Sequence, residues 1–575
     1  MVIVGGGVAG LAAAFFLRGR GAEVTVLEGS PRLGGKLAVS DVAGIAVDAG
    51  AEALLARRPE GVALITALGL ADQLAFPGTT TASIWTRGTF RALPRRQFMG
   101  VPADLDEVER SGLLSPAGMA AARQDAERPA TRRDGDVSVG EHVGARFGHE
   151  LVDRLVDPLL GGVYAGRSDQ LSFEATLPGL AEVSRRHSSL AEAAAAVLGP
   201  VASGQPVPAS APVAGGGPVS LGAGGSARSV GAPDLAPASS GAEPASPAPV
   251  FTTLAGGLGA LPAALASASG AVIRTGAMVR ELARTADGWQ LTVGSARAPE
   301  SIAADAVILA LPARPASRLL TSVPGADAAM AARALAEIDY ASMAIVTVAY
   351  PAAAFPAPLG GSGYLVPAVD GRPVKAVTFS TVKWPHLAAR VPATGDLAAG
   401  VRAAGVRAAG NLATRDPAVG PVAAGSADTG PPLHIVRCSV GRVGEESVLQ
   451  RDDRDLVALA AADLAAATGV AGTPVDSRVT RWGGGLPQYT VGHLDRVGRI
   501  RDGVGALPGL AVCGAAYDGV GIPACIASAR LAADRLLAYL QSLQHLQARA
   551  ATGQIRAADP SAQVSEALQP AEGTP

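Results

Sequence analysis

The sequence predicts an α/β fold, and three observations carry that expectation. The chain opens on an apolar strand, a glycine-rich turn and an apolar helix, Val2 to Leu17. Strand-like and helix-like segments alternate again after residue 251. A second strand, glycine turn and helix stand near the other end, from Gly509 to Leu540. Such alternation builds a parallel sheet covered by helices. The size is ample: 575 residues suggest two to four domains at roughly 150 residues each, and 48% hydrophobic residues can fill a large core despite 72 Gly and 42 Pro. A net charge of -2 without a long basic run gives no footprint for a nucleic-acid backbone. Cys438, Cys513 and Cys525 are too few and too scattered for a disulfide framework or a zinc site, so no metal is expected and a reducing compartment fits best.

Taken in order, residues 1–58 read as β-α-β: a strand Val2 to Val4, the turn, a helix through Leu17 and a strand Glu23 to Leu27. The apolar start imitates a signal peptide, yet it has no basic n-region, and its glycines sit where a strand-to-helix turn needs them. Residues 59–93 begin a second, substrate-side domain. Residues 94–198 turn helical, with Val143, Phe147, Leu151, Val152 and Leu155 at helical spacing. Residues 199–250 are Pro, Ala, Gly and Ser with almost no large apolar groups, and are expected to form a disordered linker. The α/β pattern resumes over 251–315, with FTTLAGGLGALPAAL helix-like, AVIRTGAMVREL and GWQLTV as strands, and an apolar strand Ala306 to Leu311. Residues 316–499 hold short strands, including MAIVTVAY and AVTFST, broken by a second Ala/Gly/Pro stretch at about 392–432 that reads as a flexible insertion. Residues 500–543 return to the first domain with a helix Ala524 to Leu540, and 544–575 read as a flexible tail. Apolar runs such as DAVILALPA are much shorter than the ~20 residues that span a bilayer.

The chemistry starts at Gly5-Gly6-Gly7-Val8-Ala9-Gly10, a G-x-G-x-x-G between strand and helix. Gly5 allows the tight turn, Gly7 lets backbone approach a pyrophosphate, and Gly10 lets the helix pack on the strand. Glu28 ends the second strand about 20 residues on, where a carboxylate meets ribose hydroxyls. The next block, Glu28-Gly29-Ser30-Pro31-Arg32-Leu33-Gly34-Gly35-Lys36, resembles the E-x-x-x-R-x-G-G-R motif of flavoproteins of the amine-oxidase and porphyrinogen-oxidase type, with lysine in the last place. The resemblance implies FAD, a Rossmann-like FAD domain, a discontinuous mixed-sheet substrate domain and a helical insertion. It implies backbone contact with the cofactor from Gly29, Gly35, Gly50, Ala51, Glu52 and Ala53, and charge from Arg32. Lys36 keeps the charge of the family's arginine without its bidentate geometry. Val279, in GAMVREL, matches the family strand whose backbone meets the adenine. The distant turn Gly514 to Pro523 supplies Ala515, Val520, Gly521 and Ile522 as a second half of the FAD signature.

The remaining blocks narrow the resemblance. VSVGEHVGARFGHELVDRLVDPLLGGVYAGRSDQLSFEATLP, TFSTVKWPH, RCSVGR and RWGGGLPQYTVGH look like the bacterial porphyrinogen oxidases of haem biosynthesis. That family implies a six-electron oxidation of coproporphyrinogen III, as three two-electron steps, with dioxygen as acceptor and hydrogen peroxide as product. Protoporphyrinogen IX is the alternative substrate. An amine oxidase, a carotenoid desaturase or a non-catalytic porphyrin-binding flavoprotein are further readings. The flavin carries the hard chemistry, so no tuned base is demanded and none is assigned. His187, His386 and His493 read as structural. Substrate propionates call for cations, and Arg95 and Arg96 are the candidates, with Tyr364 as a pocket wall. A cytoplasmic protein is expected, with peripheral membrane association left open.

Overall fold

The computed structural model describes residues 1–129, 135–199, 250–388 and 432–551. The expected linker and the expected second insertion fall almost wholly outside these residues, as does most of the expected tail.

Five parallel strands form the first sheet, in the order Val272–Arg274, Thr25–Leu27, Val2–Val4, Val307–Leu309, Leu510–Val512. The central strands Val2–Val4 and Val307–Leu309 are short, fully buried apolar runs, as strands covered on both faces should be. On one face the helix Val8–Leu17 packs between Leu261–Ser269 and the C-terminal helix Ile522–Ala551, and Ile3, Leu11, Leu17, Ile308 and Ala529 are fully buried there. On the other face lie an antiparallel ribbon of Val279–Thr285, Gly288–Ser295 and Ala298–Ala304 and the helices Ala313–Thr321 and Ala326–Ala336. The second sheet has seven strands in the order Asp476–Pro487, Tyr340–Pro351, Leu433–Val440, Val374–Phe379, Gly363–Leu365, Ser83–Thr86, Thr89–Ala92. Only the pair Gly363–Leu365 and Ser83–Thr86 is parallel. The helix Asp453–Thr468 covers one face of this sheet through Leu456, Ala460 and Leu464.

The residues at helical spacing between positions 143 and 155 are all buried in a separate core. One turn there, Val152–Val156, widens to π geometry, and from it Arg154 reaches Thr86 on the second sheet and Asp370 in the turn before its strand Val374–Phe379.

Two readings are corrected. FTTLAGGLGALPAAL is not one helix: Phe251–Leu254 is a strand paired with Leu54–Leu55 and Leu74–Ala75, and the helix starts only at Leu261. Gly257, at φ 84°, breaks the segment, and the two threonines favour the strand. The C-terminal helix continues past Leu540 to Ala551. The Ala, Gln and Leu content that suggests a loose tail is equally the content of a strong helix former.

Candidate active site

The first glycine turn separates backbone demands from open space. Gly5 stands at φ 111°, and a side chain there would strike the carbonyl of Ala310. A side chain on Gly10 would strike the carbonyl of Gly5. Gly7 is different, since a Cβ there meets nothing within 4 Å. Gly7 also begins the helix Val8–Leu17 without a side-chain cap, so the first-turn N–H groups, including those of Val8 and Ala9, are left for a ligand. Gly34 N–H donates to the Gly6 carbonyl at 2.8 Å, and a Cβ on Gly35 would stand 3.4 Å from Gly7 Cα, so these two glycines flank the same space.

Glu28 lies beside that space. Its carboxylate accepts from Gly6 N–H at 2.7 Å and Ser30 N–H at 2.8 Å, leaving further lone pairs for hydroxyl donors. Gly29 faces Met278, whose neighbour Val279 starts the ribbon and is buried. Arg32 departs from its expected role: it is exposed, and its guanidinium donates to the carbonyls of Gly35 at 2.7 Å and Leu33 at 3.3 Å. It braces its own loop. Lys36 is half-buried, makes no ion pair among the described residues, and has its pKa lowered by burial.

Opposite Lys36 runs the segment Gly50 to Ala53, at the end of the strand Ile45–Asp48. A side chain at Gly50 would collide with the Lys36 carbonyl, and Trp482 closes the other side, 3.0 Å from that position. The Trp482 indole N–H donates to the Ala49 carbonyl at 3.0 Å. The side chain of Glu52, expected to offer only backbone, holds a buried ion cluster. It accepts from Lys383 Nζ at 2.7 Å and from Arg437, which also donates to the Gly50 carbonyl at 2.6 Å. Burial alone would raise the Glu52 pKa, but the two cations outweigh it and hold the carboxyl at about 2. Asp48, just upstream, accepts from Leu258 and Gly259 N–H at 3.0 Å each, and burial raises its pKa.

The second glycine turn is held from outside by a residue that sequence reasoning alone does not single out. The buried Tyr489 hydroxyl donates to the Ala515 carbonyl at 2.6 Å and accepts from Gly519 N–H at 2.8 Å. Behind it His493 stacks flat on the Tyr489 ring at 3.9 Å, and burial, with help from Arg496, pushes its pKa down to about 3. That neutral imidazole is a packing partner. Val520, Gly521 and Ile522 complete the turn into the C-terminal helix.

A cavity of about 180 Å³ opens between the second sheet and the helical segment. Tyr364, Leu159, Phe251 and Thr378 are among its walls, and Lys383 reaches it from the Glu52 cluster. Tyr364 is thus a wall, buried and in edge contact with Phe90. Arg95 and Arg96 do not line this cavity. Their backbone N–H groups cap onto Glu107, Arg95 is exposed, and Arg96 donates to the Gly199 carbonyl at 3.4 Å. His187 lies 3.9 Å from Glu192, and His386 packs against Trp384. Neither lines the cavity.

The donor set fits a dinucleotide cofactor. Gly7 and Gly35 border open backbone of the kind a diphosphate requires, Glu28 beside them keeps lone pairs of the kind ribose hydroxyls require, and Lys36 supplies a cation that no carboxylate among the described residues neutralises. Comparison with known proteins bears on the same point. A family model described as flavin containing amine oxidoreductase matches residues 8–537. The chain is 34% identical over 547 residues to the coproporphyrinogen III oxidase of Mycobacterium bovis, covering 94% of this chain and 98% of that one. It is 28% identical over 556 residues to the protoporphyrinogen oxidase of Bos taurus, covering 93% and 98%. A crystal structure from Exiguobacterium sp. 255-15, 26% identical, aligns with a TM-score of 0.69 over 93% of this chain and 98% of its own.

Proposed function

This chain belongs to the flavin-containing amine oxidoreductase family, and from that membership we propose that it oxidises coproporphyrinogen III to coproporphyrin III, with dioxygen as acceptor and hydrogen peroxide as product. The observation that carries the substrate choice is the 34% identity to a coproporphyrinogen III oxidase across 94% of the chain. The likeness to a protoporphyrinogen oxidase keeps protoporphyrinogen IX as the second reading. Among the described residues no helix is long and apolar enough to cross a membrane, and the proposed setting is the cytoplasm.

FAD, when bound, accepts two electrons at a time from the substrate's meso carbons, so three rounds convert a porphyrinogen to a porphyrin. The chain's own part is to bind, orient and dry the site. Val8, Ala9 and the backbone beside Gly7 and Gly35 would hold the diphosphate, with Lys36 adding charge. Glu28 would accept from ribose hydroxyls, and Val279 would meet the adenine. Gly50 to Ala53 and Ala515 to Ile522 would line the ring from two sides, the first fixed by Arg437 and Trp482, the second by Tyr489. Apolar walls such as Leu159, Leu365 and Tyr364 suit the macrocycle and keep water from it. No side chain need take a strongly basic role.

The deciding experiment compares anaerobic flavin reduction by coproporphyrinogen III and by protoporphyrinogen IX in stopped flow. Faster reduction by coproporphyrinogen III is expected, and the reverse order would overturn the substrate choice.

A further inference from the structure

The cavity has one charged side chain. Thr79, Thr80, Ser362, Thr378 and Tyr364 are the hydroxyl-bearing residues of the lining, and its other side chains are apolar apart from Lys383. Lys383 sits at the end of the short helix Ser380–Lys383, with its side chain 15% exposed. Its ammonium lies 2.7 Å from Glu52 Oε1, 5.4 Å from the Phe251 ring centroid and 5.0 Å from that of Trp384. An ammonium carries three N–H donors, and one of them is taken by Glu52. Glu52 in turn is shared with Arg437, which also faces Asp48, so the one carboxylate that touches the Lys383 ammonium is already engaged by a second cation and leaves Lys383 charge for the cavity.

At about 180 Å³ the cavity takes only one edge of a tetrapyrrole, and an apolar pocket with a single tethered cation suits such an edge with its carboxylate. A substrate carboxylate would meet a donor already held in place by Glu52 and by two aromatic faces, so little side-chain freedom is lost on binding. Arg95 and Arg96, the cations the sequence suggests for this task, are directed elsewhere. We propose that Lys383 is the carboxylate anchor of the cavity, donating to a propionate of the tetrapyrrole, while Glu52 both tethers its ammonium and competes for it. The proposal deepens the functional reading above and rests on it.

Glu52 makes the proposal testable in two directions. An anchor role predicts that Lys383→Met weakens binding of the acid, whereas Glu52→Gln, which removes the competing charge, leaves it as tight or tighter. A purely structural ion pair predicts that the two substitutions act alike. The probe is coproporphyrin III, titrated into the FAD-loaded protein and followed by its Soret band, beside its tetramethyl ester. Lys383→Met should weaken the acid about tenfold, the effect of removing one charge-assisted hydrogen bond, and leave the ester unchanged. Lys383→Arg should stay within about threefold of the parent. Equal acid binding by Lys383→Met would overturn the proposal, as would parallel losses of acid, ester and flavin in Lys383→Met and Glu52→Gln. Turnover of coproporphyrinogen III by the unmodified protein separates the two levels. Turnover with unchanged Lys383→Met binding rejects the anchor alone, and no turnover rejects the functional reading beneath it.

Discussion

At the scale of single residues, the glycines of the first turn are not all glycine for the same reason. Gly5 and Gly10 are enclosed by carbonyls of Ala310 and Gly5, so a side chain there must displace backbone. Gly7 has open space around it, and the proposed diphosphate contact needs that space. Gly7→Val should therefore fold with little loss of Tm and carry less than about a tenth of the parent's flavin, while Gly10→Val should be recovered unfolded or not at all. Flavin absorbance per protein and a thermal melt check both, and full flavin occupancy in folded Gly7→Val would displace the diphosphate from this turn. Lys375 presents a different cost. It is 2% exposed, its Nζ has no hydrogen-bond partner among the described residues, and burial first, then Arg442, pushes its pKa down to about 7. Between about 7 and the ordinary lysine value of 10.5, the unfolded chain holds a proton that the folded chain has released. Stability contributed through this group consequently rises with pH across that window. Lys375→Met removes the burden of burying an ammonium, so its gain in Tm should be greatest below pH 7 and shrink as the pH climbs toward 10.5. A gain independent of pH would mean that packing of the stem, not its charge, sets the effect.

Among the elements, what the sequence discloses is what is local. The strand Val2–Val4, the turn, the helix to Leu17 and Glu28 lie within about thirty residues, and their spacing alone places the carboxylate beside Gly6. The ion cluster under Gly50 is not legible in that way. Lys383 and Arg437 lie 331 and 385 residues from Glu52, on elements whose register only the folded sheet defines. Periodicity is silent on such meetings, which explains why Glu52 reads as a backbone contact and Arg95 and Arg96 as the candidates for the propionates. The block RWGGGLPQYTVGH carries part of the family resemblance, yet nothing in it says that Tyr489 crosses to the second glycine turn. In the structure one hydroxyl ties two points of that turn, Ala515 and Gly519, to the segment just past the strand Asp476–Pro487. Tyr489→Phe keeps the ring and its stacking on His493 but deletes both hydrogen bonds. Two partly offset bonds at roughly 1 kcal/mol each suggest flavin affinity weakened about tenfold, with modest loss of stability. A fluorescence titration of the apoprotein with FAD would show this, and an affinity equal to the parent's would mean that the turn is held by its own backbone.

The whole molecule is assembled from cores that the chain visits repeatedly. The parallel sheet takes strands from residue 2, residue 25, residue 272, residue 307 and residue 510. The seven-stranded sheet collects strands from both sides of the helical segment. Connections between such visits need reach more than they need sequence. Residues 204–249 carry no aromatic residue and, beyond valine, only Leu221 and Leu235 as large aliphatics. This segment lies outside the described residues, and its expected role as a linker rests on that composition alone. Its neighbours are different. Leu190, Ala193 and Ala194 are buried on the helix Leu190–Leu198, and Val250 is 4% exposed, lines the cavity and accepts from Ala56 N–H at 2.9 Å. Replacing residues 204–249 with a Gly-Ser segment of equal length keeps the reach and erases the side chains. Flavin content and turnover should then match the parent, and Tm should lie within about 2 °C, since a stretch with so few large apolar side chains has little burial to lose. Val250→Asp, a single change just beyond the replaced segment, should by contrast cost several degrees and most of the turnover, because it puts a carboxylate into an apolar wall. If the Gly-Ser chain lost flavin or Tm as Val250→Asp does, the segment would have to pack on the cavity side, and the composition argument would fail for this chain.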